Sequence, residues 1–282
     1  LEAIGLECED CEYLKMKTPL SASRTGRFPN GSGKRALTVA RRIVEDIEQQ
    51  GAEIGDRLPP EQEMLVRYGV ARATLREALR FLELQGIIFL RPGPGGGPIV
   101  QEPHPKDFAS TMALLLQFLG TTFRSLIEAR QAVGPTMAAL AAERASDEDI
   151  DKLNGSLATL KTLSVSCDSY AEENRRFHDL LAWASGNPLI GFLISSLHNI
   201  TNASEVGITY TKGERDYQIK AYGRLLKAIE DRNPDLAFTE MSRFVSRSDK
   251  YLEARRPEIM SKIVRWQDAD DLSMPRVPRR KC

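Results

Sequence analysis

The 282-residue chain balances 39 basic against 39 acidic side chains, and 41% of its residues are hydrophobic and 28% charged. A composition this close to the globular average excludes a collagen-like, a wholly disordered and a disulfide-stapled protein, and at about 150 residues per domain the length suggests roughly two domains. The longest apolar run, Met112 to Leu119, is interrupted by Gln117 and falls far short of the roughly 20 residues that cross a bilayer, so no transmembrane helix and no membrane partner are expected. Zero net charge excludes a uniformly basic nucleic-acid coat but not charge concentrated on one surface.

Residues 1–33 mix Gly, Ser, Pro and scattered charges without an apolar period and read as a flexible leader. The chain opens at Leu1 rather than Met, which marks its first residues as an expression scar or an overextended start and Met16 as a candidate beginning. No basic-then-apolar secretory pattern is present, and Cys8, Cys11, Cys167 and Cys282 are too scattered for a disulfide framework, so a reducing cytoplasm is expected. The Cys8-x-x-Cys11 pair would need two more ligands to hold zinc, and no second Cys pair supplies them.

The first folded unit is expected over residues 34–103. Leu37, Ala40, Ile43, Val44 and Ile47 follow helical spacing, and Gly51 is placed to stop that helix. After the turn Gly55 to Pro60, a short helix Glu61 to Tyr68 begins behind Pro with two carboxylates near its positive end. Gly69-Val70-Ala71 turns the chain into a third helix, Arg72 to Leu84, which buries Leu75, Ala78, Leu79 and Leu82. Two extended pieces, Ile87 to Leu90 and Pro98 to Gln101, flank a Gly- and Pro-rich turn. Three helices and a small β-hairpin make a winged helix-turn-helix.

On the third helix Arg72, Arg76 and Arg80 recur every four residues opposite the leucine stripe, with Thr74 beside them. A charged row of this kind is either a solvated helix face or a nucleic-acid surface. Its setting favours the second. A short helix, a tight turn and a second helix that begins with Arg place guanidinium groups against major-groove edges, where they pair bidentately with guanine. The Gly-rich wing tip can approach the backbone or minor groove without side chains in the way.

Leu58-Pro59-Pro60-Glu61, the run Gly69 to Leu79 and Leu84-Gln85-Gly86-Ile87-Ile88 resemble the winged-helix core of the GntR superfamily of bacterial transcription regulators, over about residues 35–101. The resemblance implies that Arg72, Thr74 and Arg76 contact operator DNA with the wing Gly95, Gly96 and Gly97 at the adjacent groove. Gln62 belongs to the same surface and stands where the family usually has Arg, while Ala71 and Ala73 stand where it usually has Ser or Thr. Loss of a phosphate-binding Arg and two hydroxyls alters the operator sequence and lowers affinity.

Beyond Pro103 the pattern is helical, with expected helices near 105–119, 122–145, 147–165, 168–185, 188–204, 214–231 and 234–253. Asp147 and Asp168 are expected N-caps, and Asn233-Pro234 opens a helix. An antiparallel all-helical bundle over residues 104–255 is expected, followed by a mostly disordered tail over 256–282, so the chain as a whole is mostly α. In this unit Arg130 falls in the apolar stripe of Phe123, Ile127, Gly134, Met137 and Ala141. A buried guanidinium needs an anion, either an internal carboxylate or an acidic ligand. Asn174, Phe177, His178 and Leu181 share a face of a later helix, and Tyr222, Leu226 and Ile229 a face of another. A lone inward His is commonly a hydrogen-bonded core residue, but the set together reads as a polar cavity.

Glu128-Ala129-Arg130, Ala138 to Ala145, Asn174-x-x-Phe177-His178, Ser185-Gly186-Asn187, Ala228-Ile229 and Ala237-x-x-x-Met241 resemble the all-helical FCD ligand-binding domain of FadR-type GntR regulators, over about residues 107–253. Many of those bind a divalent metal through one Asp and three His. Here the matching positions hold Asn174, His178, Tyr222 and Phe244. Amide and phenol are poor ligands for such an ion and Phe has none to offer. No cofactor is therefore expected; a retained, degenerate metal site would rest on His178 with help from His198. The remaining groups suit an organic molecule, with Arg130 pairing an anionic group, Asn174, His178 and Tyr222 hydrogen-bonding and Phe244 packing.

These readings point to a transcription regulator that binds a pseudo-palindromic operator and responds to a small organic acid; the family resemblance implies a homodimer, and a repressor if the chain follows most relatives. Three alternatives stay open: a metal-dependent regulator of the same type, an architectural DNA binder without effector, and a helical-domain enzyme with His178 as base. The enzyme reading lacks a Gly-x-Ser-x-Gly elbow, a His-Glu-x-x-His motif and a phosphate-binding loop.

Overall fold

The computed structural model describes residues 31–93, 95–164, 169–200 and 210–266. The expectations for Cys8, Cys11, Met16, Cys167, Asp168, Cys282 and most of the leader and tail lie outside those residues.

The amino-terminal unit consists of α1 (Gly31–Gln49), α2 (Glu61–Tyr68), α3 (Arg72–Leu84), β1 (Ile88–Arg91) and β2 (Gly97–Val100). Helix α1 begins ahead of the expected start near Lys34 and buries Ala36, Val39, Ala40 and Ile43 against Leu75, Ala78, Leu79 and Leu82 of α3. Leu37, expected in that stripe, is exposed, and Ala36 takes its place because the small side chain lets α1 approach α3. The strands pair antiparallel, Ile88 with Val100 and Arg91 with Gly97. A third extended piece was not anticipated: Arg57 bridges Ile99, the Val100 amide donates to Asp56 O (2.8 Å) and the Leu58 amide to Pro98 O (2.9 Å). Glycine is obligatory at the hairpin tip. A Cβ on Gly96 would lie 2.1 Å from the Arg91 carbonyl oxygen, and Gly95 sits at φ +73°.

The second unit is helical: α4 (Pro105–Phe118), α5 (Phe123–Arg144), α6 (Asp147–Leu163), α7 (Tyr170–Ala184), α8 (Pro188–Ile200), α9 (Lys212–Glu230), α10 (Pro234–Arg255) and α11 (Pro257–Met260). Helix α5 runs through the centre and packs most extensively on α10. Gly134 permits that approach, since a Cβ there would stand 3.3 Å from the Met241 Cε. Leu153, Leu160, Phe177, Leu181 and Tyr222 complete the core.

Two expectations are corrected. The N-cap of α6 is Ser146, not Asp147: the Ser146 hydroxyl accepts from the Asp149 amide (3.1 Å) and the Asp149 carboxylate accepts from the Ser146 amide (3.0 Å), a reciprocal capping box. Asp147 occupies the first helical turn, where a carboxylate meets the positive end of the helix. Residues 256–266, expected to be disordered, are instead folded onto the bundle. Ile259, Met260 and Val264 are buried, the Phe123 amide donates to Lys262 O (3.0 Å), and the Trp266 indole donates to the Ser110 hydroxyl (2.8 Å). Three buried apolar side chains spread among one proline, a serine and charges carry no periodic signal, so burial overrides local composition.

Candidate functional site

Two surfaces concentrate chemistry. The first is the face of α3. Gly69 ends α2 in the left-handed conformation at φ +63°, donating its amide to Leu65 O, and turns the chain so that α3 starts at Arg72. With Leu75, Ala78, Leu79 and Leu82 held in the core, Arg72, Arg76 and Arg80 are left on the exposed side and Thr74 is half-buried. Arg72 Nη2 donates to Gln62 Oε1 (3.3 Å), Arg76 Nε lies 3.3 Å from Glu61 Oε1, and Arg80 pairs with Glu83 at 3.4 Å. Exposed pairs of this kind contribute little to stability, so the guanidinium groups can leave them for a stronger anion. Arg57, which the sequence reading passed over, donates from Nη1 to Gly95 O (3.1 Å) and ties the wing tip to the third extended piece. Ala71 is the N-cap of α3 and makes no side-chain cap bond; the Ser or Thr it replaces would supply one.

The second surface is a partly open cavity of about 70 Å³ in the bundle. Helix α5 contributes Arg130, α7 contributes Asn174 and His178, α9 contributes Glu214 and Gln218, and α10 contributes Phe244, Ser248 and Asp249. Each pair on α7, α9 and the α10 positions 244 and 248 is four residues apart, which places both members on one helix face. Tyr210 joins them, hydrogen-bonded to Gln218. The sequence reading identified Arg130, Asn174, His178 and Phe244; it missed Glu214, Gln218, Ser248, Asp249 and Tyr210.

Tyr222 is corrected. It does not line the cavity but lies fully buried behind it. Its hydroxyl donates to Asn174 Oδ1 (2.6 Å) and meets His178 Nε2 at 2.9 Å, while its ring stacks on Phe177 at 4.4 Å. With its one proton given to Asn174, the phenol oxygen accepts from His178, which fixes the His178 proton on Nε2. Tyr222 thus orients two residues that do face the cavity. Burial, then neighbouring His198 and Arg130, push the His178 pKa well below its ordinary value, and burial pushes the Tyr222 phenol well up; both are neutral at pH 7.

Arg130 is half-buried and has neither hydrogen bond nor ion pair among the described residues. Among the described residues no internal carboxylate pairs with it. Burial lowers its pKa from the ordinary guanidinium value, with Tyr210, Tyr222 and Asp179 opposing.

The residues do not fit a divalent metal. The donors that would face an ion are bonded to one another through the Tyr222 hydroxyl, and Phe244 closes that side with its ring 5.0 Å from Tyr222 and 5.6 Å from His178. His198, the candidate substitute, directs Nδ1 at Asp179 Oδ1 (2.9 Å). No group of three or more His, Cys, Asp or Glu able to hold an ion occurs among the described residues.

The buried histidines set an acid limit on stability. The folded pKa of His178 is depressed, and that of His198 is lowered by burial and Arg130, whereas unfolded His titrates near 6.5. Their contribution is therefore complete above about pH 6.5 and is lost as the pH falls below it, because the unfolded chain takes up protons that the folded chain refuses. The melting temperature is expected to drop between about pH 7.5 and pH 5, with a shallower drop in His178→Gln; identical profiles for the two proteins would refute this.

Comparison with known proteins bears on both surfaces. Residues 35–96 match the family described as bacterial regulatory proteins, gntR family, and residues 125–247 match the FCD domain. The chain is 31% identical over 208 residues to the HTH-type transcriptional regulator YcbG of Bacillus subtilis (strain 168), covering 73% of this chain and 84% of that one. It is 26% identical to the Exu regulon transcriptional regulator of Escherichia coli (strain K12), over 56% of this chain and 60% of that one. Among solved structures, Streptococcus agalactiae GntR superposes with a TM-score of 0.58 at 22% identity, covering 76% of this chain and 99% of that one, a likeness of fold. No helix among the described residues is long and apolar enough to cross a membrane.

Proposed function

Since the chain belongs to the GntR family of bacterial transcription regulators and carries an FCD domain, we propose that it is a repressor that binds a pseudo-palindromic operator as a homodimer and changes its DNA affinity when a small organic acid enters the helical bundle. The matched families are regulators, not enzymes. DNA binding and effector response are general to such proteins; the residues that perform them here are the substance of the proposal.

Arg72, Thr74 and Arg76 on α3 read base edges in the major groove, Gln62 steadies Arg72, and the wing Gly95 to Gly97 reaches the neighbouring backbone. Two α3 helices presented about one duplex turn apart read two half-sites together. In the bundle, Arg130 anchors the acid, Asn174 and His178 hydrogen-bond it and Phe244 packs against its apolar part. The observation that carries the effector half is the unpartnered Arg130 guanidinium on the wall of the cavity. An unpaired, partly desolvated cation is costly, and an entering carboxylate relieves that cost with a charge-assisted bond. The ligand acts by binding one arrangement of the protein more tightly than another.

The test is operator binding by fluorescence anisotropy across a panel of small carboxylates, with wild type and Arg130→Ala. Wild type is expected to shift its operator Kd with at least one acid, and Arg130→Ala to need about 10- to 100-fold more of it, the loss of one charged hydrogen-bonded pair. An unchanged response in Arg130→Ala would remove the anion anchor. Operator affinity indifferent to every acid would favour the architectural DNA binder.

A further inference from the structure

The cavity is not lined for an anion alone. Lining it together with Arg130 are two carboxylates, Glu214 on α9 and Asp249 on α10. Glu214 is buried at 4% exposure, and its ion-pair partner Arg247 stands at 3.5 Å, half outside in solvent and stacked 3.7 Å over the Tyr217 ring. Among the described residues Asp249 Oδ1 is shielded from solvent and accepts no hydrogen bond, and the adjacent Ser248 Oγ is in the same condition. Arg124 on α5, which feels the charge of Asp249, is hydrogen-bonded to Glu253 instead. Buried acceptors without donors are rare and costly. The lining thus lacks two things, an anion for Arg130 and a hydrogen-bond donor, preferably cationic, for Asp249, with Glu214, paired to Arg247 at 3.5 Å, on the same lining.

From this we infer that the effector is a small zwitterion, a monocarboxylate that also carries a protonated amine, with the carboxylate on Arg130 and the ammonium at Asp249 and Glu214. This rests on the anion-binding reading of Arg130 and deepens it by naming the second recognition group. A zwitterion satisfies both deficits and brings no net charge into a partly desolvated space. A simple monocarboxylate leaves Asp249 without a donor, and a dicarboxylate sets its second charge against the two resident carboxylates, which repel it. His178 supports the same choice: with its proton committed to Tyr222 and the ring neutral, it offers no positive charge to a second anionic group.

The test is isothermal titration of the full-length protein with matched five-carbon probes: pentanoate, 2-aminopentanoate, 5-aminopentanoate, 5-hydroxypentanoate and glutarate. At least one of the two amino acids is expected to bind about tenfold or more tightly than pentanoate, as an added charged hydrogen bond provides, and glutarate to bind most weakly. In Asp249→Asn and Glu214→Gln, which preserve shape, the amine's advantage shrinks, and the double variant loses it and admits glutarate. Pentanoate binding with no gain from either amine overturns this inference alone and leaves the Arg130 anchor standing. Hydroxypentanoate equal to the better amine overturns the charge assignment, and glutarate binding tightest overturns the inference outright. Binding by none of the five overturns the anchor and the inference together. Should a variant fail to fold, the ranking on wild type still decides.

Discussion

Arg76→Ala is expected to weaken operator binding by roughly 10- to 100-fold and to relax sequence preference at one position of each half-site, the cost of a lost bidentate contact to a base. The size follows from where Arg76 stands. It lies one turn into α3, exposed where Leu75 and Leu79 are buried, and its guanidinium has Glu61 at 3.3 Å. A pair that weak in solvent does not compete with a guanine edge. Arg80 lies a further turn along, bound to Glu83 within its own helix, and Arg80→Ala is expected to act differently, lowering affinity evenly across sequences and reducing the salt dependence by about one counterion. Anisotropy titrations on a half-site library at two salt concentrations separate the outcomes. Equal losses on every sequence for Arg76→Ala would make it a phosphate contact and would move base reading to Arg72 and Thr74.

The amino-terminal unit was legible because its information is local. The four-residue spacing of Arg72, Arg76 and Arg80 against Leu75, Leu79 and Leu82 fixes both faces of α3, and the glycines at 93, 95, 96 and 97 mark a tip where three residues take positive φ and a β-carbon on Gly96 would clash. What escaped was non-local. Arg57 forms one bridge to Ile99 and is followed by two prolines, so nothing in its neighbourhood reads as a strand. The effector cavity divides in the same way. Arg130 stood out because a charge interrupts an apolar stripe, and Asn174 and His178 because they share a face. Glu214 and Asp249 did not stand out: each sits in a strongly charged helix segment where a carboxylate looks like solvated surface, and only the packing of α9 and α10 around α5 turns them inward. Tyr222 was placed on the correct helix face but one layer too far forward, since periodicity gives the direction of a side chain and not its depth.

The identity of that deeper layer leads to the second large effect, on metal affinity. The triple variant Asn174→Asp, Tyr222→His, Phe244→His is expected to retain about one divalent ion per chain after dialysis, as a site with one carboxylate and three imidazoles should, and the wild-type protein is expected to retain none tightly. Wild type opposes an ion in three physical ways. The Tyr222 hydroxyl is already bonded to Asn174 (2.6 Å) and His178 (2.9 Å), so an ion would have to break both bonds. The phenol pKa is pushed well up by burial, which denies the ion an anionic oxygen. Phe244 fills the remaining direction with carbon. No single substitution supplies a full ligand set, and Tyr222→His alone still leaves Phe244 in the way and an amide at Asn174, so the gain is expected to be strongly non-additive, with Tyr222→His alone recovering little. Elemental mass spectrometry before and after chelator treatment, with circular dichroism as a check on folding, measures the series. A tightly held ion in the wild-type protein would show that the Tyr222 bridge opens readily, and would move the recognition of the acid from Arg130 to a metal held by His178.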